Sequence, residues 1–209
     1  MTDPDYTHLE VVLDRSGSMQ DIKSDTEGGF NAFLAEQKEL PGRCTIALSQ
    51  FDDVYEVVYW PTDIQQVSDL VLRPRGSTAL LDAMGKSMTA AGEFLAGLDE
   101  DQRPGKVIVV VITDGMENAS RGWTREQVFA LVMHQTETYG WEFRFLAANQ
   151  DAIAVGASFG VTKGSAMTYD SAHVGASYSS LSASVAVTRG GGSGAFTQEQ
   201  RDAAAPSAK

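Results

Sequence analysis

The sequence predicts an α/β domain with a doubly wound, mostly parallel central sheet, helices on both faces and one antiparallel edge strand. Apolar, β-branched runs alternate along the chain with segments of helical periodicity. The run VIVVVIT at 107–113 is apolar throughout, as parallel strands buried on both faces are. Strands that alternate with helices imply right-handed crossover connections, and these connections define the fold class.

The first half of the chain is expected to form a strand, a helix, a hairpin and a second helix. Gly28 and Gly29 weaken the first helix and predict a close contact there. Asp52 and Asp53 suit the turn of an antiparallel hairpin, and Ser77 is a candidate N-cap for the second helix. The predicted elements are a strand at 8–13, a helix at 19–38, hairpin strands at 44–51 and 54–60, and a helix from 78 to about 94.

The second half continues the alternation and then changes in composition. The predicted elements are strands at 107–113, 143–148 and 166–169, a helix at 124–139 and a short helix at 152–159. The run GGGSG at 190–194 and the polar, Ala-rich residues after it have the composition of a linker and tail. We therefore expect one domain over residues 1–189, followed by a Gly-rich linker and flexible tail over 190–209.

Composition limits the classes of function. The chain has 209 residues and is 43% hydrophobic, enough for one domain to bury a core without disulfides. Its single cysteine, Cys44, lies in an apolar run and is expected to be a buried structural residue. With 28 Asp and Glu against 16 Lys and Arg, the formal charge of −12 disfavours nucleic acid and anionic membranes as partners. A polar N-terminus and no membrane-length apolar run predict a soluble, cytoplasmic protein.

Oxygen-bearing side chains follow the ends of elements that a parallel sheet brings to one edge. Asp14, Ser16 and Ser18 follow the first strand, Asp114 follows the buried strand, and Thr78 begins a helix. Ligands bind at the carboxyl ends of strands in such sheets, so these five side chains are expected to converge. Carboxylates and hydroxyls without His or Cys favour a hard cation, with Mg²⁺ the first choice and Mn²⁺ or Ca²⁺ as substitutes.

The segments VVLDRSGSM, RGSTALLDA and VVVITDGMEN together resemble the von Willebrand factor type A (vWA) family. That family's metal-ion-dependent adhesion site (MIDAS) uses Asp-x-Ser-x-Ser, a Thr and an Asp, and all five positions are present. The resemblance covers about residues 6–188. It implies that Ser16, Ser18 and Thr78 contact the metal directly, whereas Asp14 and Asp114 act largely through water. It also implies a partner protein whose Asp or Glu completes the coordination. The segment 145–160 resembles small, intracellular bacterial relatives.

Other functions remain open at the level of sequence. Alone, the Asp-x-Ser-x-Ser turn is an ordinary helix cap. A strand ending in VVLD also opens the pattern of haloacid-dehalogenase phosphatases, although Ser16 occupies the place of their second Asp and no Lys follows beside Asp114. A structural subunit of a bacterial or phage assembly, with a stabilising metal, is the third candidate. A non-enzymatic, Mg²⁺-dependent protein-binding module is the leading expectation, and its oligomeric state is left open.

Flanking residues carry two further hypotheses about recognition. Arg15, Arg73 and Arg75 lie in loops around the predicted site and would form a cationic rim that steers an acidic ligand, or would be ordinary solvated charges. A second set follows Asp114 and would shape the recognition surface, with the indole either an anchor for a partner or packed under the loop: Glu117, Asn118 and Trp123. The three histidines are scattered, and no site role is expected for them.

Overall fold

The computed structural model describes residues 2–206 and contains one six-stranded sheet with the order β3-β2-β1-β4-β5-β6. The strands are β1 Asp3–Asp14, β2 Arg43–Phe51, β3 Tyr55–Asp63, β4 Pro104–Thr113, β5 Glu142–Ala148 and β6 Ala166–Tyr169. The α-helices are α1 Lys23–Lys38, α2 Leu80–Ala96, α3 Arg125–Tyr139, α4 Ala152–Ala157, α5 Val174–Arg189 and α6 Gln198–Ala204. Only β3 pairs antiparallel within this sheet, which confirms the predicted fold class.

Strand order reverses between β1 and β4, and this reversal determines where a ligand site forms. β1 pairs in parallel with β2 on one side and with β4 on the other, and its last residue, Asp14, lies opposite Phe51. The chain therefore leaves β1 toward one half of the sheet and leaves β4 toward the other half. Loops that diverge in this way leave a crevice at the carboxyl ends of the two strands.

Two apolar layers hold the helices against opposite faces of the sheet. One layer joins α1, α5 and α6 to alternate residues of β1, including Leu9, Val11 and Leu13. The other joins α2, α3 and α4 to Val12 and to the odd-numbered valines of β4. Cys44 is buried in the first layer, and burial raises the pKa of its thiol to about 11, as expected for a structural cysteine.

Helix α5 was not predicted, because its sequence is rich in Ser and β-branched residues that favour helix only weakly. Its packing on α1 supplies the missing stability. Tyr178 is buried, and its ring meets Phe30 edge-on at a centroid distance of 6.4 Å. It also lies so near Gly29 that a Cβ there would be 2.4 Å from Tyr178 Cδ2. The close contact expected at the two glycines is therefore present at Gly29 and not at Gly28.

Residues 190–206, for which the composition predicts a linker and tail, include helix α6 and lie against the domain. Phe196 and Ala204 are buried, and the Asp170 N–H donates to the Ala204 carbonyl at 2.9 Å. The buried guanidinium of Arg144 donates to the Ser193 carbonyl at 3.1 Å. The division of the chain at residue 190 stays a prediction, and residues 207–209 of the predicted tail lie outside the described residues.

Within residues 2–206, the structure contains no helix with the length and hydrophobicity that a lipid bilayer requires.

The two adjacent glycines of α1 provide a matched test of the contact with α5. Gly29→Ala should lower the free energy of unfolding by about 1–3 kcal/mol, because the new methyl group overlaps the Tyr178 ring. Gly28→Ala should raise it by about 0.5–1 kcal/mol, because nothing lies within 4 Å of its Cβ and alanine favours helix. Urea unfolding measures both. Equal stability of the two variants would contradict the packing described.

Candidate metal-binding site

The carboxylate of Asp14 is oriented by two hydrogen bonds from different parts of the chain. It lies at the end of β1 with no exposed surface. The backbone N–H of Ser16 donates to its Oδ1 at 2.6 Å, and the hydroxyl of Thr113 donates to its Oδ2 at 2.6 Å. Because Thr113 ends β4, the carboxylate is fixed against both central strands.

Three hydroxyl groups and a second carboxylate gather beside Asp14. The Oγ atoms of Ser16 and Ser18 are 3.1 Å apart, and Ser18 Oγ donates to Asp114 Oδ1 at 2.7 Å. A Cβ placed on Gly115 would be 2.8 Å from Thr78 Oγ1 and 3.6 Å from Ser18 Oγ. The absence of a side chain at Gly115 therefore leaves room for the hydroxyls to converge. The structure brings together all five residues that the sequence predicted as metal ligands: Asp14, Ser16, Ser18, Thr78 and Asp114.

Thr78 is held in place by the loop that follows β4. Its N–H donates to Asn118 Oδ1 at 3.0 Å, and its carbonyl accepts from the N–H groups of Asn118 and Ala119 at 3.0 and 3.2 Å. These three bonds attach Thr78 to the segment that also carries Asp114. The position of one predicted ligand is therefore set by the chain that supplies another.

The predicted start of α2 was wrong. Ser77 does not cap the helix. The helix begins at Leu80, and its N-cap residue, Ala79, provides no side-chain hydrogen bond. A carboxylate distant in sequence supplies the acceptor instead, because Glu117 Oε2 accepts from the Leu81 N–H at 2.9 Å. Ser120 Oγ accepts from the next N–H, that of Asp82, at 3.0 Å. Glu117 and Asn118 thus hold α2 and Thr78 in position at the site. A part in recognition would be additional to this structural role.

In the described part of the chain, the carboxylates of Asp14 and Asp114 lack a basic counter-charge. Among residues 2–206, no Lys, Arg or His side chain forms a hydrogen bond or ion pair with Asp14 or Asp114. Burial raises the pKa of Asp14 to about 6, against the lowering effect of hydrogen bonds from Thr113 and Ser16. Burial also raises the pKa of Asp114, with a further contribution from Asp21. A bound cation would relieve this cost of burying charge.

The cationic rim predicted from three arginines is only partly present, because Arg15 is buried. Its guanidinium donates to Asp52 Oδ2 at 2.9 Å and to Glu56 Oε2 at 2.6 Å, so its charge is paired at the hairpin. Arg75 is exposed but also donates to Asp52, at 2.8 Å, and Arg73 lies exposed in the same loop. Arg15 has a structural role, and steering by the other two stays a prediction.

Trp123 packs against α2. A Cβ on Gly85 would lie 2.1 Å from its ring, and the indole joins the apolar layer of that face. Backbone N–H groups of Gly122 and Trp123 donate to Asp82 at 2.9 and 2.8 Å, which fixes the loop. Of the two roles considered for Trp123, the structure therefore shows the second, in which the indole packs under the loop.

Sequence analysis missed two residues that shape the site. Thr113 orients Asp14, and Gln150 donates from Nε2 to the Gly115 carbonyl at 3.0 Å. The position of Thr113 directly before Asp114 was the available signal, whereas nothing in the sequence ties Gln150 to Gly115. Among the histidines, His8 is buried against Thr45 and Glu10, away from these residues.

The donor set fits a hard divalent cation better than zinc. In the part of the chain that the structure describes, no group of three or more His, Cys, Asp or Glu side chains is arranged to hold a metal. The site instead presents two carboxylates and three hydroxyls, and oxygen-only ligands suit Mg²⁺, Mn²⁺ or Ca²⁺. The exposure of Ser18 leaves one side open to a further ligand.

Comparisons with known proteins point to a single fold. A scan of protein-family models and a search of curated proteins found no match. Among solved structures, VWA2 of Sulfolobus acidocaldarius, a paralog of ArnB, superposes with a TM-score of 0.54 at 16% identity over 84% of this chain. The vWF domain of the pili tip protein Mfa5 from Porphyromonas gingivalis gives 0.56 at 9% identity over 88% of this chain and 95% of its own. The chain has the von Willebrand factor type A fold.

A third solved structure with this fold is described with a bound metal. Proximal thread matrix protein 1 of the mussel byssus, with a zinc-occupied MIDAS motif, gives a TM-score of 0.53 at 13% identity over 79% of this chain. This chain spans 44% of the Sulfolobus protein and 41% of the mussel protein, less than half of each. These similarities establish the vWA fold.

The buried carboxylate predicts how metal-free stability depends on pH. Because the pKa of Asp14 is about 6 in the fold and about 3.9 in an unfolded chain, its protonation stabilises the fold fully below about pH 4. That contribution is lost as pH rises through about 6. In chelator, the free energy of unfolding of Asp14→Asn relative to wild type should therefore increase by about 2 kcal/mol between about pH 4.5 and 7.5. Thermal unfolding of both proteins at the two pH values measures this change. A stability difference between Asp14→Asn and wild type that is the same at both pH values would contradict the prediction.

Proposed function

We propose that this vWA-fold domain is a non-enzymatic, divalent-metal-dependent protein-binding module. Ser16, Ser18 and Thr78 would hold the metal through their hydroxyls, with Asp14 and Asp114 balancing its charge. A carboxylate of a partner protein would complete the coordination from the exposed side. The observation that carries the proposal is the buried Asp14 carboxylate, which has no basic partner among residues 2–206 and lies beside three convergent hydroxyls.

The residues of the site have separate tasks in this proposal. Asp14 is held by Thr113 and the Ser16 N–H, so its charge is fixed in direction and needs no rearrangement on binding. Ser18 donates to Asp114, and this hydrogen bond keeps the second carboxylate at the same place. A bound divalent ion supplies an electrophilic centre for an oxygen ligand, since neutral hydroxyls donate weakly to it.

Mg²⁺ is the metal that we propose, with Mn²⁺ and Ca²⁺ as substitutes. A small ion that keeps several waters suits short hydroxyl side chains and carboxylates at slightly longer range. The zinc-occupied MIDAS motif of the mussel protein supports divalent metal binding on this fold. We further propose that the domain is of the small bacterial type and that it works in the cytoplasm.

The metal is expected to stabilise the fold. At a free Mg²⁺ concentration about 100 times its Kd, the free energy of unfolding should rise by about 2.7 kcal/mol. Asp14→Ala and Asp114→Ala should abolish this gain, whereas Ser179→Ala, an exposed serine of α5, should retain it. Thermal unfolding with Mg²⁺ and with chelator is the measurement. A gain that persists in both aspartate variants would place the metal elsewhere.

Partner binding tests the function itself. The immobilised domain should retain a protein in Mg²⁺ and release it in chelator, and Asp14→Ala should retain none, because the partner's carboxylate then has no metal to bind. Affinity capture with and without chelator, with Ser179→Ala as the control, makes the comparison. Capture that survives both the chelator and Asp14→Ala would contradict the mechanism. A metal that stabilises the fold while capture never depends on it would favour a structural subunit.

A further inference from the structure

Residues 114–120, the loop that follows β4, form one wall of the candidate metal-binding site, and Met116 lies in this loop. Asp114 accepts from Ser18 Oγ at 2.7 Å. A Cβ on Gly115 would lie 3.6 Å from the same hydroxyl, which belongs to an exposed residue. Because neighbouring Cα atoms are about 3.8 Å apart, the Cα of Met116 is no more than about 9 Å from Ser18 Oγ. Met116 therefore lies beside the open side of the site.

The polar side chains of this loop are used within the fold. Glu117 and Ser120 accept from the first N–H groups of α2, and Asn118 accepts from the Thr78 N–H. Glu117 also accepts from the N–H of Ser120 at 2.8 Å, so its carboxylate is directed into the loop. Met116 is the only large apolar side chain of residues 114–120. These hydrogen bonds explain its neighbours and leave Met116 without a comparable structural task.

Met116 is far more exposed than its residue type predicts. It is 73% exposed, the largest fraction among the exposed large hydrophobic side chains of residues 2–206. Single apolar residues are common on protein surfaces, but this one lies beside the proposed metal ligands. The fold gains no apolar burial from it, whereas a partner that covers it would. Four other methionines are fully buried: Met19, Met84, Met88 and Met167.

The backbone presents Met116 in a fixed position. The peptide group that joins it to Gly115 is held by its carbonyl, which accepts from Gln150 Nε2 at 3.0 Å and from Thr113 Oγ1 at 3.1 Å. The Gly115 N–H donates to the same Thr113 hydroxyl at 3.2 Å. A partner therefore meets a backbone that is already ordered, which lowers the entropic cost of binding. The unbranched side chain of methionine can still adapt to the surface that covers it.

Charges around the site disfavour a run of acidic residues in the partner. Asp21 is exposed and lies close enough to Asp114 to contribute to the raised pKa of that carboxyl group. A second carboxylate of the partner would be repelled by Asp21 and by the formal charge of −12 on the chain. The metal can offset that repulsion for the one carboxylate that it binds. The residue next to this carboxylate is better matched to Met116 if it is apolar.

We propose that Met116 selects partner segments in which a single Asp or Glu lies next to a large apolar residue. The carboxylate binds the metal, and the apolar side chain packs on Met116. This inference rests on the proposed function, because the bound carboxylate places its neighbour in reach of the loop. Since methionine is flexible and polarisable, the selectivity is for large apolar residues as a class, such as Leu, Ile, Phe and Met.

Selection from a library of random eight-residue peptides displayed on phage tests this preference. The immobilised domain is loaded with Mg²⁺, and bound phage are eluted with chelator. Wild type should retain peptides that carry Asp or Glu beside a large apolar residue. Met116→Lys should retain Asp or Glu peptides without that enrichment, because an apolar side chain no longer has an apolar surface to cover.

The outcomes of the selection separate the two proposals. Enrichment of Asp or Glu without an apolar neighbour on wild type would overturn the role of Met116 and leave the proposed function standing. The same apolar enrichment on Met116→Lys would also overturn that role. If the chelator elutes no peptides enriched in Asp or Glu from wild type, the proposed function fails and this inference fails with it.

A selected peptide then measures the contact directly. On wild type in Mg²⁺, Ser in place of the peptide's apolar residue should weaken binding about tenfold, because a partly buried contact is lost. On Met116→Ser the same peptide change should weaken binding less than about threefold. Val187→Ser, which changes an exposed apolar residue near the end of α5, should behave as wild type. Circular dichroism verifies that each variant is folded. A tenfold loss that persists on Met116→Ser would overturn the proposal.

Discussion

The site depends on one constraint, the burial of the Asp14 carboxylate at the end of a central strand. β1 pairs on both sides, so neither Asp14 nor the turn after it can shift without disturbing two strands. Thr113 and the Ser16 N–H each use one carboxylate oxygen. The buried charge is thereby oriented but not neutralised, and its raised pKa reflects that state. A cation is the simplest complement to such an arrangement.

The other ligand candidates are positioned by contacts that reach across the chain. Asn118 and Ala119 hold Thr78, while Glu117 and Ser120 accept from the first N–H groups of α2. The loop after β4 therefore sets both Asp114 and Thr78. This linkage explains how a short polar loop can hold together a cluster of hydroxyls in which only that of Ser18 belongs to an exposed residue. Only Gly115, which has no side chain, leaves space between them.

Much of the fold and the convergence of the site could be predicted from sequence, because both follow from local pattern. The buried run of β4 and the residues directly after β1 and β4 carry their own signals, and β6 was placed at its observed bounds. The failures share a different cause. Arg15 pairs with Asp52, and α2 is capped by Glu117, both partners being distant in sequence. Helix α5 depends on the contact of Tyr178 with Gly29, which no local propensity reveals.

The central claim concerns the candidate metal-binding site, and anomalous diffraction from crystals grown with Mn²⁺ tests it most directly. The account predicts one manganese peak within bonding distance of the Ser16, Ser18 and Thr78 hydroxyls, lost in Asp14→Ala crystals. A crystal with no peak at these hydroxyls, or with a peak that persists without Asp14, would contradict it.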